Sequence, residues 1–207
     1  RCIMCNIWKM IPKNELSLNE WSSMFSDPLF SDIETLDITG GEAFLAKGFI
    51  KKITLFLERM PKIKRVTIVS NGFSTDLIVK RIKELVKLLD SKNITLNISI
   101  SLDGTEKMHK KIRRIPQAFK KTTSTILKLK MLEQNHPNLS VSVGSLIMHQ
   151  NLDSVEEVTN WLKNNKVDYG LQIVGFHDTY VDNLDTEDST DFQKRDKSKL
   201  FALLKDL

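Results

Sequence analysis

Two cysteines separated by two residues, Cys2-Ile3-Met4-Cys5, put two thiolates on one tight loop, the arrangement by which a chain offers two ligands to a soft metal centre. The same pair suits half of a zinc site, which needs a second ligand pair, or a thioredoxin-like redox couple, which lies between a strand and a helix. The histidines (His109, His136, His149, His177) are scattered without the spacing of a zinc finger. Thr39-Gly40-Gly41-Glu42 offers different chemistry. Paired glycines let the backbone approach a ligand closely, and the acid beside them can take up an ammonium group. A structural turn followed by a helix-capping acid would carry the same residues. Ser70-Asn71-Gly72 and Ser101-Leu102-Asp103-Gly104 each place small polar residues and a glycine where an apolar run stops, and each alone reads equally well as a turn.

The elements that must position these residues alternate between two periodicities. Strand-like runs are expected near 33–38, 66–69, 94–102, 141–148 and 169–174. Between them, helical spacing sets Phe49, Ile53, Phe56, Leu57 and Met60 on one face, stopped by Pro61, and Ile78, Ile82, Leu85, Val86 and Leu89 on another. A helix is expected around 120–133, and Ser154 with Glu157 reads as an S-x-x-E capping signature opening a helix through Val158 and Leu162. Residues 200–207 read as the start of a last helix. Successive βα units require parallel strands with right-handed crossovers, which leaves an open doubly wound sheet or a barrel-like one. Spacing does not separate the two. In both, ligands bind beyond the carboxyl ends of the strands, where the loops at Thr39, Ser70, Leu102, Met148 and Val174 are expected to share a rim.

A length of 207 residues, with 41% hydrophobic and 28% charged residues, fits a globular domain and excludes disordered and fibrous classes. No stretch approaches the ~18 apolar residues of a membrane-spanning helix, so no membrane partner is expected. The first residue is Arg1, so a preceding segment is expected, and two cysteines without a secretory leader point to a reducing, cytoplasmic setting. The net charge of +5 is unevenly spread. Nine basic residues and no acid lie between Lys107 and Lys130, an anion-binding face or a solvated one. Only Phe119 interrupts that run, so the aromatic platform of a nucleic-acid binder is lacking. An acidic stretch over 177–196 is expected to form a surface loop.

Taken together, in this order and with these separations, the motifs resemble the radical S-adenosylmethionine enzymes across essentially the whole chain. The run from Cys2 to Lys9, and Ser101-Leu102-Asp103-Gly104 followed by His109 and Ile112-Arg113, look like the SPASM- and twitch-related subgroup that modifies peptides and matures cofactors. The resemblance implies an α/β fold, a partial (β/α)6 TIM-like barrel with parallel strands, over 1–207. Its first strand and first cluster cysteine would lie upstream. It implies Cys2 and Cys5 as ligands of a [4Fe-4S] cluster, with an open iron for S-adenosylmethionine. Gly40, Gly41 and Glu42 would receive the cofactor's amino group. Ser70, Asn71, Ser101 and Asp103 would lie near its ribose and methionine portions, Lys121 would reach its carboxylate, and Met4 and the strand Leu171–Gly175 would border the adenine. This sequence departs from its relatives in carrying Met4 where an aromatic is usual, and His109-Lys110 and Arg113-Arg114 where His-Asp and Arg-Gly are.

The function so implied is reductive cleavage of S-adenosylmethionine to a 5'-deoxyadenosyl radical that abstracts hydrogen from a peptide or small-molecule substrate. The reductant would be a ferredoxin or flavodoxin. A binding module for a nucleotide-like ligand, and a zinc or redox protein built on the cysteine pair, are the competing readings. The second leaves the ordered Gly-Gly-Glu, Ser-Asn-Gly and Ser-Leu-Asp-Gly series without a use.

Overall fold

A computed structural model describes residues 1–10, 15–179 and 182–205, except for the Leu204 side chain. In chain order the elements are α1 (Leu18–Met24), β1 (Thr35–Ile38), α2 (Phe49–Arg59), β2 (Arg65–Ser70) and α3 (Thr75–Asp90). Then follow β3 (Thr95–Ser101), α4 (Glu106–Arg113), α5 (Ala118–Glu133) and β4 (Leu139–Ile147). The last are α6 (Val155–Asn164), β5 (Asp168–Ile173), α7 (Glu187–Thr190) and α8 (Lys197–Lys205). All five expected strands are present, with bounds moved by one or two residues. The end of the expected 200–207 helix, residues 206 and 207, lies outside the described residues.

The strands form a five-stranded sheet in the order β1-β2-β3-β4-β5. β1 pairs with β2 in parallel from Thr35 opposite Arg65, and β2 with β3 from Arg65 opposite Thr95. Strand order settles the alternative that periodicity left open. A doubly wound sheet reverses direction at a switch point, whereas a barrel adds each strand beside its predecessor. Sequential order is the barrel pattern, with β1 and β5 as outer strands.

The chain divides into two compact units. In the unit of residues 11–100 and 124–142, α2 buries Phe49, Ile53 and Leu57, and α3 buries Ile78, Ile82, Leu85, Val86 and Leu89. β2 and β3 alternate, burying Val66 and Ile68, then Leu96, Ile98 and Ile100, as period-two side chains on a half-covered sheet require. Sequence periodicity misses α1. It is fixed by a true capping box, in which Ser17 Oγ accepts from Glu20 N at 3.3 Å and Glu20 Oε2 accepts from Ser17 N at 2.7 Å. Trp21 of α1 stacks on Phe25 and meets Phe56 of α2 edge-on.

The other unit comprises residues 1–10, 101–123 and 143–207. One apolar cluster gathers Met4, Ile112, Met148 and Val174, and a second gathers Ile147, Leu152 and Val155, against which Phe192, Leu200 and Leu203 pack. The basic segment opens with a helix, α4, ahead of the one expected around 120–133. It stops where Arg114 adopts the left-handed conformation (φ 55°), and Pro116 prevents its continuation. The Ser154–Glu157 capping expectation is corrected: Ser154 makes no side-chain cap bond, and Glu157 instead accepts from Thr105 Oγ1 at 2.7 Å. The acidic stretch carries α7 and two short turns rather than plain loop, and buries Asn183, Thr186, Thr190 and Asp196. No helix among the described residues is long and apolar enough to cross a membrane.

Candidate functional site

Cys2 and Cys5 are half-buried, and neither forms a disulfide. Their loop is fastened by groups other than the thiols. Ile3 N donates to Ile112 O at the end of α4 (3.0 Å), and Asn183 Nδ2 donates to Met4 O (2.9 Å). Asn6 Nδ2 reaches Asp182 O (2.7 Å) and Asp185 Oδ1 (2.6 Å). Asn183, 1% exposed, also donates to Gly175 O and accepts from His177 N, so one amide ties the cysteine loop to the segment after β5. Met4 is buried beside Val174, within the 171–175 run expected to border the same ligand.

Asp103 organises the neighbourhood of this loop. Its side chain is fully buried; Oδ2 accepts from Arg113 Nε at 2.6 Å and Oδ1 from Leu146 N at 3.1 Å. Its own carbonyl accepts from Asn151 Nδ2 at 2.8 Å, and its N–H donates to His109 Nδ1 at 3.2 Å. Arg113, 8% exposed, extends Nη1 to Cys2 Sγ at 3.7 Å. Burial penalises the guanidinium charge, but Asp103 and Cys2 outweigh that penalty and hold Arg113 above arginine's ordinary value. The family resemblance implies Asp103 near the cofactor; the structure commits its carboxylate to Arg113 and Leu146. Ser101 closes β3 half-buried, and Lys121 is exposed on α5.

His109 is fully buried on α4. A backbone N–H can only donate, so Nδ1 is the acceptor and Nε2 carries the proton facing Thr122 Oγ1 at 3.3 Å. Burial first, and then the Arg113 charge, push its pKa down to about 4, although Asp103 acts in the opposite direction. The depressed value means the unfolded chain binds the proton first. Stability is full above pH 6.5 and falls as pH drops from there toward about 4. Between pH 7.5 and 5 the wild type is expected to lose about 2 kcal/mol more than His109→Gln does. Urea unfolding at both pH values checks this, and equal losses would contradict it.

In the other unit, the Gly-Gly-Glu and Ser-Asn-Gly segments meet. Glu42 accepts from Ser70 Oγ (2.9 and 3.1 Å), from Asn71 N (2.9 Å) and from Phe44 N (3.3 Å). Gly40, at φ 132°, occupies a conformation that side chains with a Cβ rarely adopt, and so permits the turn. Gly41 beside it is exposed, Ser70 is 2% exposed, and Thr125 of α5 donates to Gly72 O at 2.7 Å, holding the second turn. Cys2, Asp103 and Arg113 are thus assembled within one unit, and Gly40, Glu42, Ser70 and Asn71 within the other.

Two contributors escape the sequence reading. Asn183 and Asn151 bond to carbonyls distant in sequence, and no local pattern announces that. Arg113 has a signal: with His109 and Ile112 it falls at i, i+3 and i+4, the buried face of α4, while Lys107, Lys110, Lys111 and Arg114 are exposed. Most of the basic run is a solvated face.

The donor set fits an iron–sulfur cluster in part. Two accessible thiols on a fixed loop are the right ligand type, and no group of three or more His, Cys, Asp or Glu able to hold a metal ion is found among the described residues. Comparison with known proteins agrees. Residues 1–179 match the radical SAM superfamily. The sporulation killing factor maturation protein SkfB of Bacillus subtilis (strain 168) is 29% identical over 150 residues, 72% of this chain and 33% of that protein. The fold resembles native anSMEcpe with bound AdoMet at a TM-score of 0.60 and 15% identity, over 86% of this chain and 51% of that one. The chain therefore spans a third to a half of the length of these relatives. Across 1–179, which includes both cysteines and the Gly-Gly-Glu, Ser-Asn-Gly and Ser-Leu-Asp-Gly segments, the chain belongs to the radical S-adenosylmethionine superfamily, whose cofactors are a [4Fe-4S] cluster and S-adenosylmethionine.

Proposed function

We propose that the full-length protein cleaves S-adenosylmethionine reductively and uses the product to abstract hydrogen from a peptide. The observation that carries this is the cysteine loop: two thiols, unpaired with each other, on a backbone clamped at Ile3, Met4 and Asn6. Cys2 and Cys5 would hold the cluster, which when bound supplies one electron to the sulfonium and breaks a carbon–sulfur bond. The electron would come from a ferredoxin- or flavodoxin-type donor in the cytoplasm. A peptide substrate is what the SPASM- and twitch-related resemblance implies, and the likeness to a protein named for the maturation of a killing factor is in keeping with it.

The remaining work falls to protein groups. Glu42, positioned by Ser70 Oγ and Asn71 N, would accept a charge-assisted hydrogen bond from the cofactor's ammonium and so hold the sulfonium in place. Ser101 at the end of β3 and Lys121 on α5 would serve the ribose and carboxylate, and Asp103 just beyond β3 would act beside them through the Arg113 and Leu146 contacts that its carboxylate holds. Glu42→Gln keeps the shape and an acceptor for Asn71 N but removes the charge. Affinity for S-adenosylmethionine, read by equilibrium dialysis, is expected to fall roughly 10- to 100-fold. Iron content should stay unchanged, and the unfolding midpoint should fall only slightly, since the amide that keeps an acceptor for Asn71 N leaves the longer Phe44 N contact, at 3.3 Å, without one. Dithionite reduction with the cofactor should yield methionine and 5'-deoxyadenosine from the wild type. A fully loaded, reducible protein that forms neither product would overturn the proposal.

A further inference from the structure

We propose that Arg113 is a positioning residue for the metal centre: anchored by Asp103, it donates to Cys2 Sγ, fixes that thiolate, and raises the reduction potential of the cluster it ligates. This rests on the reading of Cys2 as a cluster ligand. It adds a role that neither the cysteine motif nor the Gly-Gly-Glu segment contains.

Three observations converge. Arg113 divides its fork: Nε is spent on Asp103 Oδ2 at 2.6 Å, while Nη1 points to Cys2 Sγ at 3.7 Å. The pair is buried, with side chains 10% and 0% exposed, so water does little to screen the guanidinium from the sulfur. The neighbouring backbone makes the placement rigid, because Ile112 O accepts from Ile3 N at 3.0 Å. One turn of α4 therefore holds the cysteine loop by main chain and by side chain at successive residues. A structural ion pair alone would need only the Nε contact. The second limb has another task, and it ends on the ligand atom.

The electrostatic consequence has a definite sign. Adding an electron to a thiolate-ligated cluster increases negative charge on its sulfurs, and donors to those sulfurs stabilise the reduced state more than the oxidised one. A fixed cation and N–H donor at Cys2 Sγ therefore raise the midpoint. Lysine cannot substitute fully, since an ammonium is a point charge without the planar fork that serves carboxylate and sulfur at once.

The test is the reduction midpoint of the reconstituted full-length protein, followed by electron paramagnetic resonance alongside iron content. Arg113→Lys keeps a cation opposite Asp103 and withdraws the second donor. Its midpoint is expected to become more negative with iron content unchanged. Asp103→Asn/Arg113→Met removes both charges together, which spares the fold an unpaired buried ion. It is expected to shift the midpoint in the same direction, because the donor it removes lies on the sulfur while the Asp103 charge removed with it lies on the Nε side of the guanidinium. An unchanged midpoint in fully loaded Arg113→Lys, or in the loaded double variant should lysine not load, overturns the proposal and leaves the pair purely structural. Failure of the underlying reading looks different: Cys2→Ala would then assemble the same cluster as wild type.

Discussion

Asp103→Ala is expected to destabilise the fold by about 3–5 kcal/mol, the usual consequence of removing one partner of a buried ion pair. The substitution strands the Arg113 guanidinium at 10% side-chain exposure and leaves Leu146 N without the acceptor now at 3.1 Å. Desolvation decides the size of the effect. An exposed pair such as Lys128 with Asp76, at 51% and 96% exposure, can lose either partner for about 1 kcal/mol or less, because water replaces it. No water replaces Asp103. Removing both charges should be much milder than removing one, so Asp103→Ala/Arg113→Met is expected to recover most of the loss. Urea unfolding of the two single variants and the double variant closes the cycle. A cost below about 1 kcal/mol for Asp103→Ala would mean the pair is hydrated in solution.

Periodicity makes other parts of the fold legible where this network is not. Strands announced themselves because Val66, Ile68, Leu96, Ile98 and Ile100 alternate with residues on the opposite face, and amphipathic α2 and α3 followed from three- and four-residue spacing. The same S-x-x-E pattern gave opposite outcomes at two places. At Ser17 it forms the reciprocal cap of α1, and at Ser154 a preceding turn, Leu152–Ser154, takes over the helix start while Glu157 turns to Thr105. Local pattern permits a cap; tertiary competition decides it. The fold class was legible as parallel α/β, yet barrel order needed the pairing itself, since each strand could join either edge of a growing sheet.

At the site, Gly40, Glu42, Ser70 and Asn71 could be listed from sequence, but not that the Glu42 carboxylate binds both Ser70 and Asn71. Asp103 was legible as a polar residue ending a strand, whereas its bond to Arg113 depends on how α4 is rotated. That rotation is set by burial of His109 and Ile112. Asn183 sits in an acidic, apolar-poor stretch that composition marks as solvated, and its partners Met4 and Gly175 are reached only through tertiary folding. Buried amides bonded to distant carbonyls leave no periodicity to find.

Cys5→Ala in the full-length protein is expected to abolish cluster assembly, taking iron from about four per chain to near zero, and to eliminate 5'-deoxyadenosine formation. The structure predicts that this happens without unfolding. The bonds that hold the loop use Ile3 N, Met4 O and the Asn6 amide, none of which the substitution touches, so stability in the metal-free state should change by no more than about 0.5–1 kcal/mol. Separation of the two readouts is what gives the experiment its force. Lost iron with an intact unfolding midpoint assigns Cys5 as a ligand; lost iron with a collapsed midpoint would assign it to the packing of the loop. Retention of about four irons and of product formation by Cys5→Ala would remove the cysteine pair from the chemistry. In that event S-adenosylmethionine affinity would also be expected to survive loss of both cysteines, and the Glu42 carboxylate, with Ser70 and Asn71, would stand as part of a ligand-binding module rather than of a redox enzyme.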